Sequence, residues 1–138
     1  MTVVLGADAD TTSIESVVGG LIRAWNSGDA LAFAAFFAED ADLVNIHGMH
    51  VRGRQAIAGL YDMLFRSVFA SSSATAKISA VRCPANKIAL VHLKVVVRAQ
   101  AAPLKGTHDV LTSLVMVHDA SGWKVAALHN TLVTAHGG

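Results

Sequence analysis

The sequence is poor in the features that mark out many function classes. Its 138 residues include a single cysteine, Cys83. One cysteine excludes an internal disulfide, and in an apolar stretch it reads as a small core residue. Charge is sparse and scattered: 11 Lys and Arg against 10 Asp and Glu give a net charge of +1. With no basic stripe to track phosphates, nucleic acid is not an expected partner. No apolar run approaches the roughly 18–20 residues of a membrane helix. The longest, 89–97, is interrupted by His92 and Lys94, so no membrane partner is expected either. The first ten residues carry no Lys or Arg, unlike a secretory signal, and the expected location is cytoplasmic. No Gly-rich nucleotide fingerprint, repeat or low-complexity tract is present.

What is abundant is apolar surface. The hydrophobic fraction is 53% and the mean hydropathy +0.48. With no membrane span to absorb it, that surface points to a buried pocket and to a subunit interface. The length suits one domain over 1–138, with an ordered core at about 12–134. Thr12-Ser13-Ile14-Glu15 fits a capping box. Ile14, Val17, Val18, Leu21, Ile22 and Trp25 then recur at helical spacing. Gly28 suits a left-handed helix end. Asp29 is placed to cap a second helix carrying Leu31, Phe33, Phe36 and Phe37. A short strand over 42–47 turns at Gly48 and returns over 49–52. A third helix carries Ile57, Leu60, Tyr61, Leu64 and Phe65.

Beyond residue 75 the chain reads as strands near 75–82, 88–99, 106–117 and 123–134, separated by short turn-forming breaks. Helices first and strands after predict an α+β fold. Both faces of the long strands are apolar, so both need cover. Three helices cover one face; the other is expected to take a second copy in a homodimer. Alternation puts Ile88, Leu90, His92, Lys94, Val96 and Arg98 on one face. It also groups Trp123, Val125, Ala127, His129 and Thr131 on a face expected to look inward over the helices.

These residues also carry a resemblance. Trp25-Asn26-Ser27-Gly28-Asp29, Phe37-Ala38-Glu39-Asp40-Ala41-Asp42 and Gly53-Arg54-Gln55-Ala56-Ile57 stand in this order. In that, the chain resembles the nuclear transport factor 2-like superfamily, also called ketosteroid isomerase-like or SnoaL-like. Leu43-Val44-Asn45, Ala89-Leu90-Val91-His92 and the stretch Trp123 to Thr131 are similar to its SgcJ/EcaC-type subgroup. The resemblance implies a cystatin-like cone, with three N-terminal helices packed in the concave face of a curved antiparallel sheet. In its register the catalytic aspartate of the steroid isomerases falls at Asn45 and their oxyanion-hole tyrosine at Leu21. The same cone is therefore implied without the same proton shuttle.

His129 is the first candidate for a catalytic acid or base, since an imidazole changes charge near neutral pH. His92 and Asn45 are candidates to orient it or the substrate. For each the alternative is a structural polar group that needs a partner. Tyr61, Trp25 and Trp123 are candidate ligand contacts. Asn130, next to His129, is expected on the opposite face. His108 and Asp109 are a tempting dyad, but neighbours on a strand point apart. His47 and His50 lack a third ligand nearby, so no metal is expected. The expectation is a small-molecule pocket protein binding an apolar ligand. A cofactor-independent isomerase, cyclase or hydratase is the leading reading. A non-catalytic binding or dimerisation module is the alternative.

Overall fold

The computed structural model describes residues 11–134. Its elements are α1 (Thr11–Asn26), α2 (Ala30–Ala34), β1 (Phe37–Val44), β2 (His50–Arg52), α3 (Arg54–Phe65), β3 (Ser73–Ala85), β4 (Ile88–Ala99), β5 (Gly106–Asp119) and β6 (Gly122–Leu132). The expected α+β cone is the observed fold. Six strands form one sheet in the order β2-β1-β6-β5-β4-β3. Neighbours are antiparallel except β1 and β6, which run parallel. No helix among the described residues is long and apolar enough to cross a membrane.

The helices form where apolar spacing places them. α1 buries Ile14, Val18, Leu21 and Ala24, a single face at steps of three and four. The helix is already formed at Thr11, so Thr12 lies within it and does not cap it. Past its end Gly28 takes φ +66°, a left-handed conformation easy for glycine alone. α2 starts as expected, with Asp29 Oδ1 accepting from Ala32 N at 3.0 Å. It ends before Phe36 and Phe37, which were expected to belong to it. Val125 N donates to Phe36 O at 2.9 Å, and Arg54 Nε and Nη2 donate to Phe37 O. The sheet and the start of α3 therefore capture this backbone. Gly20 allows the closest helix contact: a Cβ there would overlap the Phe36 ring.

The first strand begins earlier than its expected start at 42 and stops short of 47. Asn45 ends it. Its Oδ1 accepts from His47 N and Met49 N, both at 2.9 Å, and its own N donates to Met49 O. A side chain that binds its own backbone in this way turns the chain back on itself.

Three single-residue bulges bend the sheet, one of them near the end of β3, where Arg82 pairs with Leu90 and Ala85 with Ile88. Ile78 pairs with Leu93 and Ala80 with His92, leaving Ser79 extra in β3. Met116 pairs with Val125 and Val115 with Ala127, leaving Ala126 extra in β6. Each bulge sharpens the local twist and reverses the in–out alternation beyond it. The core lies between the concave face and the helices, with Phe37, Leu43, Ile57, Leu114, Met116 and Val125 fully buried.

Candidate functional site

A cavity of about 150 Å³ opens between the helices and the concave face of the sheet. Its walls are mostly aliphatic and aromatic. Leu21, Ile22 and Trp25 come from α1, Tyr61 and Leu64 from α3, and Leu93, Val95 and Val97 from β4. Trp25 organises one wall. Its ring lies 5.0 Å from Phe69, 5.3 Å from Phe65 and 5.8 Å from Tyr61. Its Nε1 donates to Ser72 Oγ at 3.0 Å, so the indole N–H is satisfied while its faces pack. The next residue fixes this end of α1 to the sheet: Asn26 accepts from Ala74 N and donates to Ala74 O, as a strand would.

Six polar side chains reach this apolar space: Asn45, His47, Tyr61, His108, Thr112 and Asn130. Thr112 and Tyr61 lie deepest, 5% and 3% exposed. Thr112 Oγ1 donates to Asn130 Oδ1 at 2.6 Å. Leu43 pairs with Leu128 and Val44 with His129, so Asn45 follows in the row beside Asn130. Both amides have their oxygens engaged, Asn130 by Thr112 and Asn45 by two backbone N–H groups. What each offers the cavity is an NH2 donor. Burial raises the Tyr61 phenol pKa far above its ordinary value, so this hydroxyl stays protonated and is a third donor.

His108 differs from these groups. Its Nε2 lies 2.6 Å from Leu104 O. A carbonyl has no proton to give, so Nε2 must carry the hydrogen. In the neutral ring Nδ1 is then a bare acceptor. His47 sits exposed at the mouth. The cavity thus combines three donors with the His108 imidazole inside it and the His47 imidazole at its mouth.

The expected site residues divide. Asn45, Tyr61 and Trp25 line the cavity. His129 does not: it is exposed on the convex face, and Asn130 takes the inward position. The cause is Ala126. Trp123 and Val125 face inward as expected, but the bulge reverses the alternation, so Leu128 and Asn130 follow them. His92 shares a face with Leu90 and Lys94, as expected, but that face is the outer one. The inward residues of β4 are Ala89, Val91, Leu93, Val95 and Val97. His92 and His129 flank Ser113 in one convex row. Trp123 is buried in the core against His118, away from the cavity lining.

His108, Thr112 and Asn130 had no place among the expected site residues. For the first two the signal was present. β5 runs against β4 without a break, so alternation alone puts His108, Val110, Thr112, Leu114 and Met116 on one inward face. Asp109 is exposed on the other, and no His–Asp dyad forms. His50 pairs instead with Asp42 at 2.7 Å on the surface. No group of three or more His, Cys, Asp or Glu stands together among the described residues.

None of the curated proteins compared matches the sequence significantly. Solved structures do. A cystatin-like domain of unknown function from Nostoc punctiforme is 29% identical with a TM-score of 0.80, over 94% of this chain and 81% of that one. An uncharacterised cystatin-like protein from Caulobacter vibrioides is 25% identical with a TM-score of 0.81, over 90% and 89%. A ketosteroid isomerase-like protein from Erwinia carotovora atroseptica is 16% identical with a TM-score of 0.77, over 93% and 99%; at that identity it shows the fold alone. The model of the SnoaL-like domain matches residues 18–126, most of the cone and its cavity, and the chain belongs to the SnoaL-like domain family.

Proposed function

We propose that this protein is a cofactor-independent acid/base enzyme of the isomerase, cyclase or hydratase kind, acting on a small apolar molecule held in the cone. The observation that carries the reading is His108. Its hydrogen bond to Leu104 O puts the proton of the neutral ring on Nε2 and leaves Nδ1 as the acceptor, on a residue that lines an apolar cavity also holding three donors. Nδ1 takes a proton from the substrate. The Asn45 and Asn130 amides and the Tyr61 hydroxyl donate to the oxygen on which charge develops. Asn45 keeps an orienting role, as a donor only. Trp25 and Tyr61 shape the ligand's surroundings.

The test is deuterium uptake from D2O by cyclic ketones, followed by NMR. His108→Gln retains a donor for Leu104 O and should slow exchange by about 10²–10⁴-fold, the usual worth of a general base. Exchange as fast as in the unaltered protein would remove His108 from this role. A second reading, a binding module without chemistry, is favoured by Asn45: it stands where the isomerases hold a carboxylate, and its oxygen is tied up in a turn. Ligands that raise Tm but gain no deuterium would support it.

The proposal extends to a homodimer through the convex face. Leu90, Val96, Leu111, Val115 and Val117 form an apolar band there that no described helix covers. Lys94 on β4 and Asp109 on β5 share this face, so a copy docked with β4 over β5 would bring opposite charges together. Leu111→Lys should then give monomers in analytical ultracentrifugation. The same proposal puts the chain nearer to the SgcJ/EcaC-type subgroup, a reading supported by the stretches 43–45, 89–92 and 123–131.

A further inference from the structure

The histidines of the convex face form a row that the cavity does not use. β4, β5, β6, β1 and β2 lie side by side. One row across them reads His92, Ser113, His129, Val44 and His50. Its first two members sit in the middle of the apolar band: Leu111 pairs with Lys94 on one side of them, and Leu90 with Val115 on the other. His92 is half-buried and His129 exposed. Among the described residues neither ring has a hydrogen-bond or ionic partner; Ser79 Oγ donates only to the backbone O of His92. His50, at the edge of the sheet, differs, because Asp42 holds it at 2.7 Å.

The charges around this row are mostly of one sign. Lys77 and Arg82 point outward from β3, Lys94 and Arg98 from β4, and Arg52 from β2. Lys124 on β6 turns to Ala35 O. Against these cations stand two carboxylates. Asp109 lies four residues from Ser113 on β5, about 13 Å along an extended strand. Asp42 is already engaged by His50, while Glu39 and Asp40 lie toward the start of β1. Among the described residues, then, no carboxylate stands free beside His92 or His129 to stabilise a protonated ring.

We propose that His92 and His129 make association through the convex face dependent on pH: a second copy of this chain docks while both rings are neutral and leaves when they are protonated. This rests on the homodimer reading and adds its regulation. The occupant is a second copy because the face is complementary to itself. Its cations gather on β3 and β4 and its carboxylates on β5 and β1, so β4 laid over β5 sets one against the other. Docking strips water from the row and supplies no anion in its place. That costs little for a neutral imidazole and much for an imidazolium. An imidazole ordinarily takes up its proton near pH 6.5. Below that pH the separate copies bind protons that the dimer does not, so acid favours the separate copies. Each ring kept neutral in the dimer weakens association by up to about tenfold per pH unit, and a dimer holds both rings from each copy.

The test is analytical ultracentrifugation of the full chain at pH 7.5 and 5.5, with circular dichroism at each pH to follow the fold. The dissociation constant should rise by about 10²–10⁴-fold at the lower pH with the helical signal kept. The double variant His92→Gln, His129→Gln should stay dimeric at pH 5.5, since an amide takes no proton. His129→Arg is charged at both pH values and should dissociate at pH 7.5, which reads the switch even if acid unfolds the chain. A double variant that still dissociates at pH 5.5 would overturn the proposal. So would His129→Arg protein that dimerises at pH 7.5 as tightly as the unaltered chain. Monomers at both pH values would sink the homodimer reading and the switch together. A dimer at both pH values that Leu111→Lys disrupts would sink the pH dependence alone.

Discussion

The two faces of this sheet are built from the same residue types and end with different chemistry. The convex face carries His92, Ser113 and His129 in one row, in or near solvent. The concave face carries His108, Thr112 and Asn130 under three helices. Enclosure sets the difference. On the concave side every polar group is held by a named partner or faces a small apolar space, so its remaining donor or acceptor is available to a ligand. On the convex side water competes for the same groups. A histidine in this fold gains a candidate role from the face it occupies, and one residue of register decides the face.

Inserting one alanine after Ala127 tests that directly and should have the largest effect. With the Ala126 bulge kept, one further residue reverses the alternation again, turning Leu128 and Asn130 outward and His129 inward. Exposing Leu128, now 6% exposed, costs about 2–3 kcal/mol by itself. The buried imidazole adds to the loss. Chemical denaturation should show a total loss above about 3 kcal/mol, or no folded protein. Deleting Ala126 instead leaves Val125 inward, Ala127 outward and Leu128 inward, so that variant should keep both faces. An insertion variant of unchanged stability would mean that this register does not set the faces.

A side-chain truncation compares the faces more gently. Leu114 is 1% exposed and faces the helices; Leu111, on the same strand, is 39% exposed on the convex side. Leu114→Ala should cost about 2–5 kcal/mol, the range for a buried leucine that leaves a cavity. Leu111→Ala should cost under about 1 kcal/mol in the folding of the single chain. Its effect should appear in the association equilibrium instead. Equal losses at the two positions would contradict the assignment of faces.

The concave side should also show itself at high pH. Tyr61 is the only tyrosine, and burial holds its pKa far above the ordinary value. The unfolded chain loses this proton near pH 10 and the folded chain does not. Above that pH the folded state binds more protons, so stability falls as pH rises, by up to about 1.4 kcal/mol per unit from this group. Below pH 10 the group has no such effect. Tyr61→Phe should flatten this alkaline limb. In the unaltered protein, phenolate absorbance should appear together with unfolding and not before it.

The parts that could be read from sequence are those governed by regular periods. α1, α3 and β4 follow their hydrophobic spacing closely, and Gly28 and Asp29 mark the helix boundaries they were expected to mark. Tyr61 and Trp25 could be placed in the cavity because helix positions do not depend on strand register, and Asn45 through the register of the family resemblance. His129 could not, because a bulge at Ala126 has no signature in an alanine-rich stretch. Phe36 and Phe37 were lost to α2 because a distant backbone, Val125, and a distant guanidinium, Arg54, bind their carbonyls. Those partners lie far along the chain, where local propensity has no information.

Two histidine contacts of nearly equal length give the smallest and most specific comparison. His50 Nε2 lies 2.7 Å from Asp42 Oδ1, and His108 Nε2 lies 2.6 Å from Leu104 O. By distance the first pair looks at least as strong, since it joins two charges when the ring is protonated. Its side chains, however, are 57% and 46% exposed, and an ion pair in that setting contributes about 0–1 kcal/mol. Asp42→Asn should therefore leave stability within about 0.5 kcal/mol, and salt should remove even that difference. His108 is half-buried and orders the 100–105 loop that ends at the cavity. The same loss of its contact should weaken ligand binding with little change in the global unfolding midpoint. If Asp42→Asn proved the more damaging of the two, exposure would not be what separates the faces of this sheet.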